Sequence, residues 1–409
     1  MLDRRSFLRT SSLLAVGATV PEFVARAARA AAPGKDTVLV VLEMTGGNDG
    51  LNTVIPFADD HYHKNRPTLG LSAKRVLKVD DRVGLHPRLE GLHSLHKDGH
   101  LAIVQGVGYP NPDRSHFESM DIWQSADPTR KTATGWVGRS TALFPAGQGV
   151  PAMFLGADKM PLALQGSSGG VLSVTKPQDF ALNLISPADR RAARKKLIED
   201  LTAGPTDGDD LAAFVRRRQL QAFASAETIQ RAIAESGKKN AGAVQVNDPR
   251  SLGEKLDLVA TLIRAEFGTR VFYVALDGFD THARQAEDHG NLLGQLGDAV
   301  RNFFGKLKDG DHDQRVLLMT FSEFGRRVRE NGSRGTDHGA ASCLFVAGPG
   351  VKPGPVNPHP RLDELDGGDL KFAVDFRRVY ATLLDGWLGA DSRAVLGGRF
   401  EAVGLLKKG

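Results

Sequence analysis

Four places in the chain crowd together the residue types that bind metals and move protons. ENGSRGTDHGAAS, Glu330 to Ser342, sets Asp337 beside His338 between glycines, and SEFGRR just upstream adds Glu323 and Arg326. LDGFDTH carries Asp277, Asp280 and His282; GGNDGLN carries Asn48, Asp49 and Asn52; NPDRSHFESMD carries Arg114, Ser115, His116 and Asp121. Carboxylate with imidazole suits zinc or manganese, whereas oxygen-only sets suit magnesium and calcium. One or two divalent ions are therefore expected, held by Asp337, His338, Asp280, His282 and Asp49. Two ions about 4 Å apart clamp both oxygens of a phosphoryl-type displacement. A metal also turns a nearby hydroxyl into a nucleophile. Ser115 is the best-placed hydroxyl, with His116 and Glu323 as further catalytic candidates, and Arg114 or Arg326 offers a guanidinium to a tetrahedral anion.

Local geometry offers other uses for some of these residues. Asp49 in its glycine turn suits an Asx-turn hydrogen bond. Asp280 suits the cap of a helix beginning near Arg284. Ser115, with Glu118 three residues on, makes a capping box for HFESMD. A nucleophile at a helix start is compatible with that, because the helix dipole favours negative charge there.

The elements that position these clusters read as strands alternating with helices. DTVLVVLE (36–43), LAIVQGVG (101–108), RVFYVALDG (270–278), RVLLMTFSEFG (315–325) and CLFVAGPG (343–350) are continuous apolar runs of the kind buried parallel strands show. Helical patterns lie near Pro87–Lys97, Gln285–Leu307 and Asp375–Leu388. The pattern predicts an α/β fold with a mostly parallel sheet covered on both faces. Ligands in such folds bind outside the carboxyl ends of the strands, where all four clusters fall. Residues 187–265, rich in Ala, Arg, Leu and Gln, read as a helical insertion in a single domain spanning 36–390.

The composition of the 409 residues, 41% hydrophobic and 25% charged, is that of an ordinary globular protein. Of the formal charge of +5, residues 1–30 carry +3 through Arg4, Arg5, Arg9, Arg26 and Arg29 against Asp3 and Glu22. The small remainder argues against nucleic acid as a partner. The N-terminal DRRSFLR, followed by an apolar run from Leu13 to Val20, resembles a twin-arginine export signal covering residues 1–30. That run is shorter than the roughly 20 residues a membrane span needs, so an exported soluble protein handled by the twin-arginine machinery is expected. Cys343 is the lone cysteine, which rules out an intrachain disulfide, and its setting in SCLFVAG predicts a buried small hydrophobe.

GGNDGLNTVIP, RSHFESMDIWQ, GWVGRS, TFSEFGRRVRENGSRGTDHGAA and VDFRRVYATLLDGWLG together resemble the domain-of-unknown-function family 1501, from about Val38 to Leu388. The resemblance implies bacterial export and placement in the alkaline phosphatase and sulfatase superfamily, a three-layer α/β/α sandwich with metals at the strand ends. It implies no agreed reaction. Carried over, the superfamily's Asp-His pair falls on Asp337 and His338, its first-strand acid on Asp49 or Glu43, and its nucleophile on Ser115. Its middle Asp and His fall on Asp280 and His282, two positions apart where the superfamily has four, and its last histidine on His359. Pro110 occupies the place of the formylglycine precursor in PNPDR, which argues against a sulfatase of that type. Two functions are left: a metal-dependent hydrolase of phosphate or sulfate esters or another small anionic substrate, or a non-catalytic exported binding or assembly protein.

Overall fold

The computed structural model describes residues 37–144, 150–156, 159–167, 170–174 and 251–407. The expected export signal and most of the expected insertion, through residue 250, lie outside the described residues. Strand β1 (Val38–Thr45) is buried along nearly its whole length, as its unbroken apolar run requires. The other strands of the same sheet are β2 (Leu101–Gly108), β3 (Ala152–Leu155), β4 (Val171–Val174), β5 (Val271–Asp277), β6 (Val316–Phe321), β7 (Ser342–Ala347), β8 (Gly354–Pro355) and β9 (Val374–Asp375). They lie in the order β8-β2-β7-β6-β1-β5-β3-β4, with β9 also paired to β2.

Pairings of β1 with β5 and β6 are parallel, with Val40 opposite both Phe272 and Leu318. Strand β7 alone runs against its neighbours β2 and β6 among the described residues. No crossover helix separates β6 from β7, so the chain turns back and re-enters the sheet at the edge it left. That reversal puts the whole segment from Ser322 to Ala341 at the carboxyl ends of the parallel strands. The short strands β3, β4, β8 and β9 are too brief to show a sequence period.

Helices cover both faces. Val38, Val40, Leu42 and Met44 of β1 pack with α1 (Glu90–Lys97), α4 (Leu252–Arg264) and α5 (Gln285–Leu307). Leu39 and Val41 pack on the opposite face with α2 (His116–Ser125), α3 (Trp136–Ser140) and α6 (Phe376–Leu383). Three layers result. Each strand side chain removed from water on these faces contributes on the order of 1.5–3 kcal/mol. Helix α5 buries Leu293, Leu296, Val300, Phe303, Phe304 and Leu307, a three-and-four spacing that lays one stripe on the sheet, and its first turn holds Glu287 and Asp288. Helix α4 opens on a full capping box between Ser251 and Glu254.

A third core, containing Leu51, Ile55, Tyr62, Leu71, Val328 and Leu370, ties the strand-end loops to one another. A small antiparallel sheet of Val54–Ile55, Gly84–Leu85 and Leu77–Lys78 braces the same region. Cys343 is buried in β7, and burial pushes its thiol up to about 12.

Candidate metal centre

Four loops meet at the sheet edge: Gly46–Thr53 after β1, Tyr109–Ser115 after β2, Gly278–Arg284 after β5 and Ser322–Ala341 after β6. Two buried arginines lock the loops after β1, β5 and β6 together. Arg326 donates from Nε to Gly47 O (2.6 Å), from Nη1 to Thr336 O (2.9 Å), and from Nη2 to Phe279 O (3.1 Å), Gly46 O and Asp280 Oδ1 (2.7 Å). Arg66 donates from Nη1 and Nη2 to Asp49 Oδ2 and Oδ1 at 2.5 and 3.0 Å, and from Nε to Val328 O at 2.6 Å. Close backbone approach here needs glycine. A Cβ on Gly47, whose φ is +74°, would lie 2.3 Å from the Phe324 ring, and one on Gly335 would lie 2.2 Å from the carbonyl of His282.

Within that frame three imidazoles converge on one carboxylate oxygen. Asp280 Oδ1 lies 3.1 Å from His282 Nε2, 3.2 Å from His338 Nε2 and 3.5 Å from His116 Nε2. His282 Nε2 and His338 Nε2 are 3.0 Å apart. The opposite nitrogen of each ring is held by an acceptor: His116 Nδ1 by Glu323 Oε1 at 2.7 Å, His338 Nδ1 by Arg114 O at 2.8 Å, and His282 Nδ1 by Asp337 Oδ1 at 3.3 Å. A carboxylate or carbonyl only accepts, so each Nδ1 carries its proton, and in the neutral ring Nε2 is then the nitrogen with a lone pair to offer a cation. His116 Nε2 is buried and has no hydrogen-bond partner among the described residues. The hydrogen bond that His116 donates to Glu323 raises the His116 pKa, against the opposing effect of burial. Partial burial pushes the Asp280 carboxyl upward, but the hydrogen bond and charge of Arg326, helped by His338 and His282, bring it down to about 2.

The donor set fits a divalent ion. Donor atoms of His116, Asp280 and His338 all lie within 4.8 Å of one another. A tetrahedral zinc ion bonded to imidazole nitrogen holds its donors roughly 3.4 Å apart. Lone pairs already aimed by acceptors on the far side of each ring are the usual support of metal-bound histidine.

Of the residues expected to bind metal, the fold brings together Asp280, His282 and His338. His116, expected as a catalytic group, adds its Nε2 to the same cluster. Asp337 reaches the cluster only through His282: its exposed carboxylate accepts from Asn331 Nδ2 at 3.0 Å and faces His282 Nδ1. Asn331 holds the Asp337 pKa below its usual value, with His282 adding to the effect. Asp49 does not join the cluster. It is fully buried and bonded through both oxygens to Arg66, with Gln285 Nε2 also donating to Oδ2; burial raises its pKa but Arg66 overcomes this and lowers it. Its expected role as a ligand is replaced by an ion pair, because Arg66 comes close enough to claim it. Glu43, the alternative acid, is buried on the α2 face, where Gln124 Nε2 (2.9 Å), Tyr273 and Thr45 donate to it and burial raises its pKa.

The remaining candidates are placed as follows. Glu323 is buried, accepting from Gly46 N at 2.9 Å as well as facing His116. Arg326 is not available to an anion, since each of its nitrogens already donates to the loops it clamps. Arg114 is half exposed, with Nε 2.9 Å from Asp369 Oδ2 and Nη2 on the same oxygen. Ser115 sits at the N-cap of α2 without a side-chain cap bond, so the expected capping box is not formed; the Asp113 carboxylate instead accepts from the Ser115 N–H at 2.8 Å. His359 lies away from the cluster beside Pro360, its Nδ1 2.7 Å from the Pro360 carbonyl. Arg66, Gln285, Thr336 and Asn331 were not expected: Arg66 lies far from every marked cluster, and the other three stand beside expected residues without being metal-binding types.

The chain belongs to the family described as Protein of unknown function (DUF1501), whose model matches residues 36–399. No curated protein matches the sequence. Among solved structures it is similar to PsFucS1 sulfatase from Pseudoalteromonas sp., at 10% identity and a TM-score of 0.42, covering 94% of this chain and 75% of that one. A protein of the alkaline phosphatase superfamily from Vibrio parahaemolyticus is similar at 9% identity and a TM-score of 0.36, covering 90% and 69%. The C-terminal periplasmic domain of EcEptC from Escherichia coli, in complex with Zn, gives 11% identity and a TM-score of 0.34, covering 76% and 73%. Among the described residues, no helix is long and apolar enough to cross a membrane.

Proposed function

We propose that the chain is an exported metal-dependent hydrolase of phosphate or sulfate esters, with a single ion held by His116, Asp280, His282 and His338. The observation that carries this reading is the convergence of three imidazole Nε2 atoms on Asp280 Oδ1, each with its Nδ1 held by an acceptor. Three nitrogens and one oxygen favour zinc over manganese, which takes oxygen-rich sets. Lewis-acid polarisation of an ester oxygen is the chemistry a divalent ion supplies in such a set.

The chain's own residues do the rest. Glu323, Asp337 and the Arg114 carbonyl fix the tautomer and orientation of the three rings. Ser115 supplies the nucleophilic hydroxyl: it precedes His116 at the start of the ten-residue α2 and its side chain is not spent on capping. The amino end of that helix favours the anionic group of the substrate. Arg114, half exposed at the rim, adds a guanidinium to bind it. An assay of aryl phosphate and aryl sulfate esters with zinc-loaded protein tests the reading. Wild type should turn over one class, and Ser115→Ala and Asp280→Ala should each lose on the order of a hundred-fold or more. Equal rates in all three would defeat it.

A second reading rests on Arg326, whose Nη2 already donates to Asp280 Oδ1 at 2.7 Å. With the guanidinium standing in for an ion, the same pocket belongs to a non-catalytic binding or assembly protein. Under that reading zinc leaves the melting temperature unchanged. Export through the twin-arginine machinery is part of both readings and rests on DRRSFLR; Arg4→Lys with Arg5→Lys should hold the protein in the cytoplasm.

A further inference from the structure

The turn that carries Asp337 and His338 is tied to a buried charge that touches neither. Thr336 Oγ1 donates to Gln285 Oε1 at 2.6 Å, and Gln285 Nε2 donates to Asp49 Oδ2. All three side chains are buried. Asp49 is itself fixed by the two-pronged ion pair with Arg66. The Thr336 backbone is pinned on both sides, its N–H donating to Thr281 O at 3.3 Å and its carbonyl accepting from Arg326 at 2.9 Å.

The chain of bonds has a direction. A carboxylate only accepts, so Asp49 compels the Gln285 amide to present its NH2 edge. The amide oxygen must then face Thr336, whose hydroxyl has to donate. Flipping the amide would set its oxygen against the Asp49 carboxylate, two acceptors facing each other inside a buried site where unpaired polar atoms are costly. The charge at Asp49 therefore selects one arrangement of the residue immediately before Asp337.

Resting on the reading of the cluster as a metal centre, we infer that Asp49, Gln285 and Thr336 are positioning residues that hold the Asp337–His338 turn in register for the ion. Asp337 orients His282 and His338 supplies a donor, so a turn that drifts loosens two of the four donors together.

Zinc affinity of the full chain, measured by competition with a chromophoric chelator, tests the inference, together with the visible absorption of the cobalt(II) form. Thr336→Val keeps the shape and removes the donor; it should weaken zinc binding about ten-fold and alter the cobalt bands. Thr336→Ser restores the hydroxyl and should recover the affinity to within about two-fold. A purely structural role for Thr336 would lower the melting temperature of the metal-free protein while leaving affinity and spectrum as in wild type, which would overturn the inference. If Thr336→Val does not fold, Gln285→Met removes both bonds at similar volume and should give the same loss; unchanged affinity there overturns the inference equally. A wild type that takes up no zinc defeats the metal reading itself. A wild type that binds alongside a Thr336→Val protein that binds equally defeats only the relay.

Discussion

Asp337 Oδ1 stands 3.3 Å from His282 Nδ1, while His338, its neighbour in the chain, places Nε2 3.0 Å from the other nitrogen of the same ring. The two residues thus approach one imidazole from opposite sides. An adjacent Asp-His pair on a short turn achieves this because successive side chains diverge, and Gly335 lets the turn lie against the His282 backbone. Under the proposed metal reading the pair divides its work: one residue orients a ligand and the other is a ligand.

That division predicts unequal losses. Asp337→Ala should weaken zinc binding about ten-fold, the effect of removing an orienting partner. His338→Ala and Asp280→Ala remove donors and should weaken it far more. Because Asp337 is exposed, its substitution should leave metal-free stability within about 0.5 kcal/mol of wild type, as read from urea unfolding. Equal losses for Asp337→Ala and His338→Ala would contradict the assignment.

The Asp49–Arg66 ion pair predicts a pronounced coupling in stability. Asp49→Ala strands a buried guanidinium, and Arg66→Ala strands a buried carboxylate; each should cost about 3–5 kcal/mol. Removing both at once leaves no unpaired charge, so the double variant should be much less destabilised than the two single losses together. Denaturant unfolding of the four proteins measures the cycle. Additive losses would show that the pair is not the joint that holds the β1 and β6 loops.

Much of this fold was legible in the sequence. The strand at 101–108 and the helix at 285–307 were readable to the residue, because a buried strand is apolar throughout and a long amphipathic helix repeats at three and four. The reversal of β7 was not, since a buried strand reads alike in either direction. The cluster was half legible: Asp280, His282 and His338 stand at strand ends, where open sheets place their ligands. His116 was read by its proximity to Ser115 and not by the direction of its ring. Asp49 was misplaced for the converse reason. Its partner Arg66 is seventeen positions away, in a loop without any marker of its own, and only the fold brings the two charges together.

Acid should act through His289 before it acts through the carboxylates. His289 is fully buried, with Nε2 2.9 Å from Asn48 Oδ1, and burial lowers its pKa to about 4. The unfolded chain takes up the proton near the ordinary value of about 6.5, so stability is complete above that pH and falls as the pH drops toward 4. The loss should be about 3 kcal/mol at most from this group. His289→Gln keeps a donor at the Nε2 position and should flatten the slope of unfolding free energy between pH 6.5 and 4. His86, lowered to about 3 by burial, adds a slope of the same sign that the variant leaves in place. An unchanged slope in His289→Gln would show that His289 is charged in the folded protein.

The most direct test of the metal centre is to strip the purified chain with chelator, titrate it with zinc, and count the ions bound by calorimetry. The account predicts about one tightly held ion per chain, a rise in melting temperature on binding, and loss of both in Asp280→Ala and in His116→Ala. A wild-type chain that binds no zinc, or binds it as well after either substitution, would contradict it.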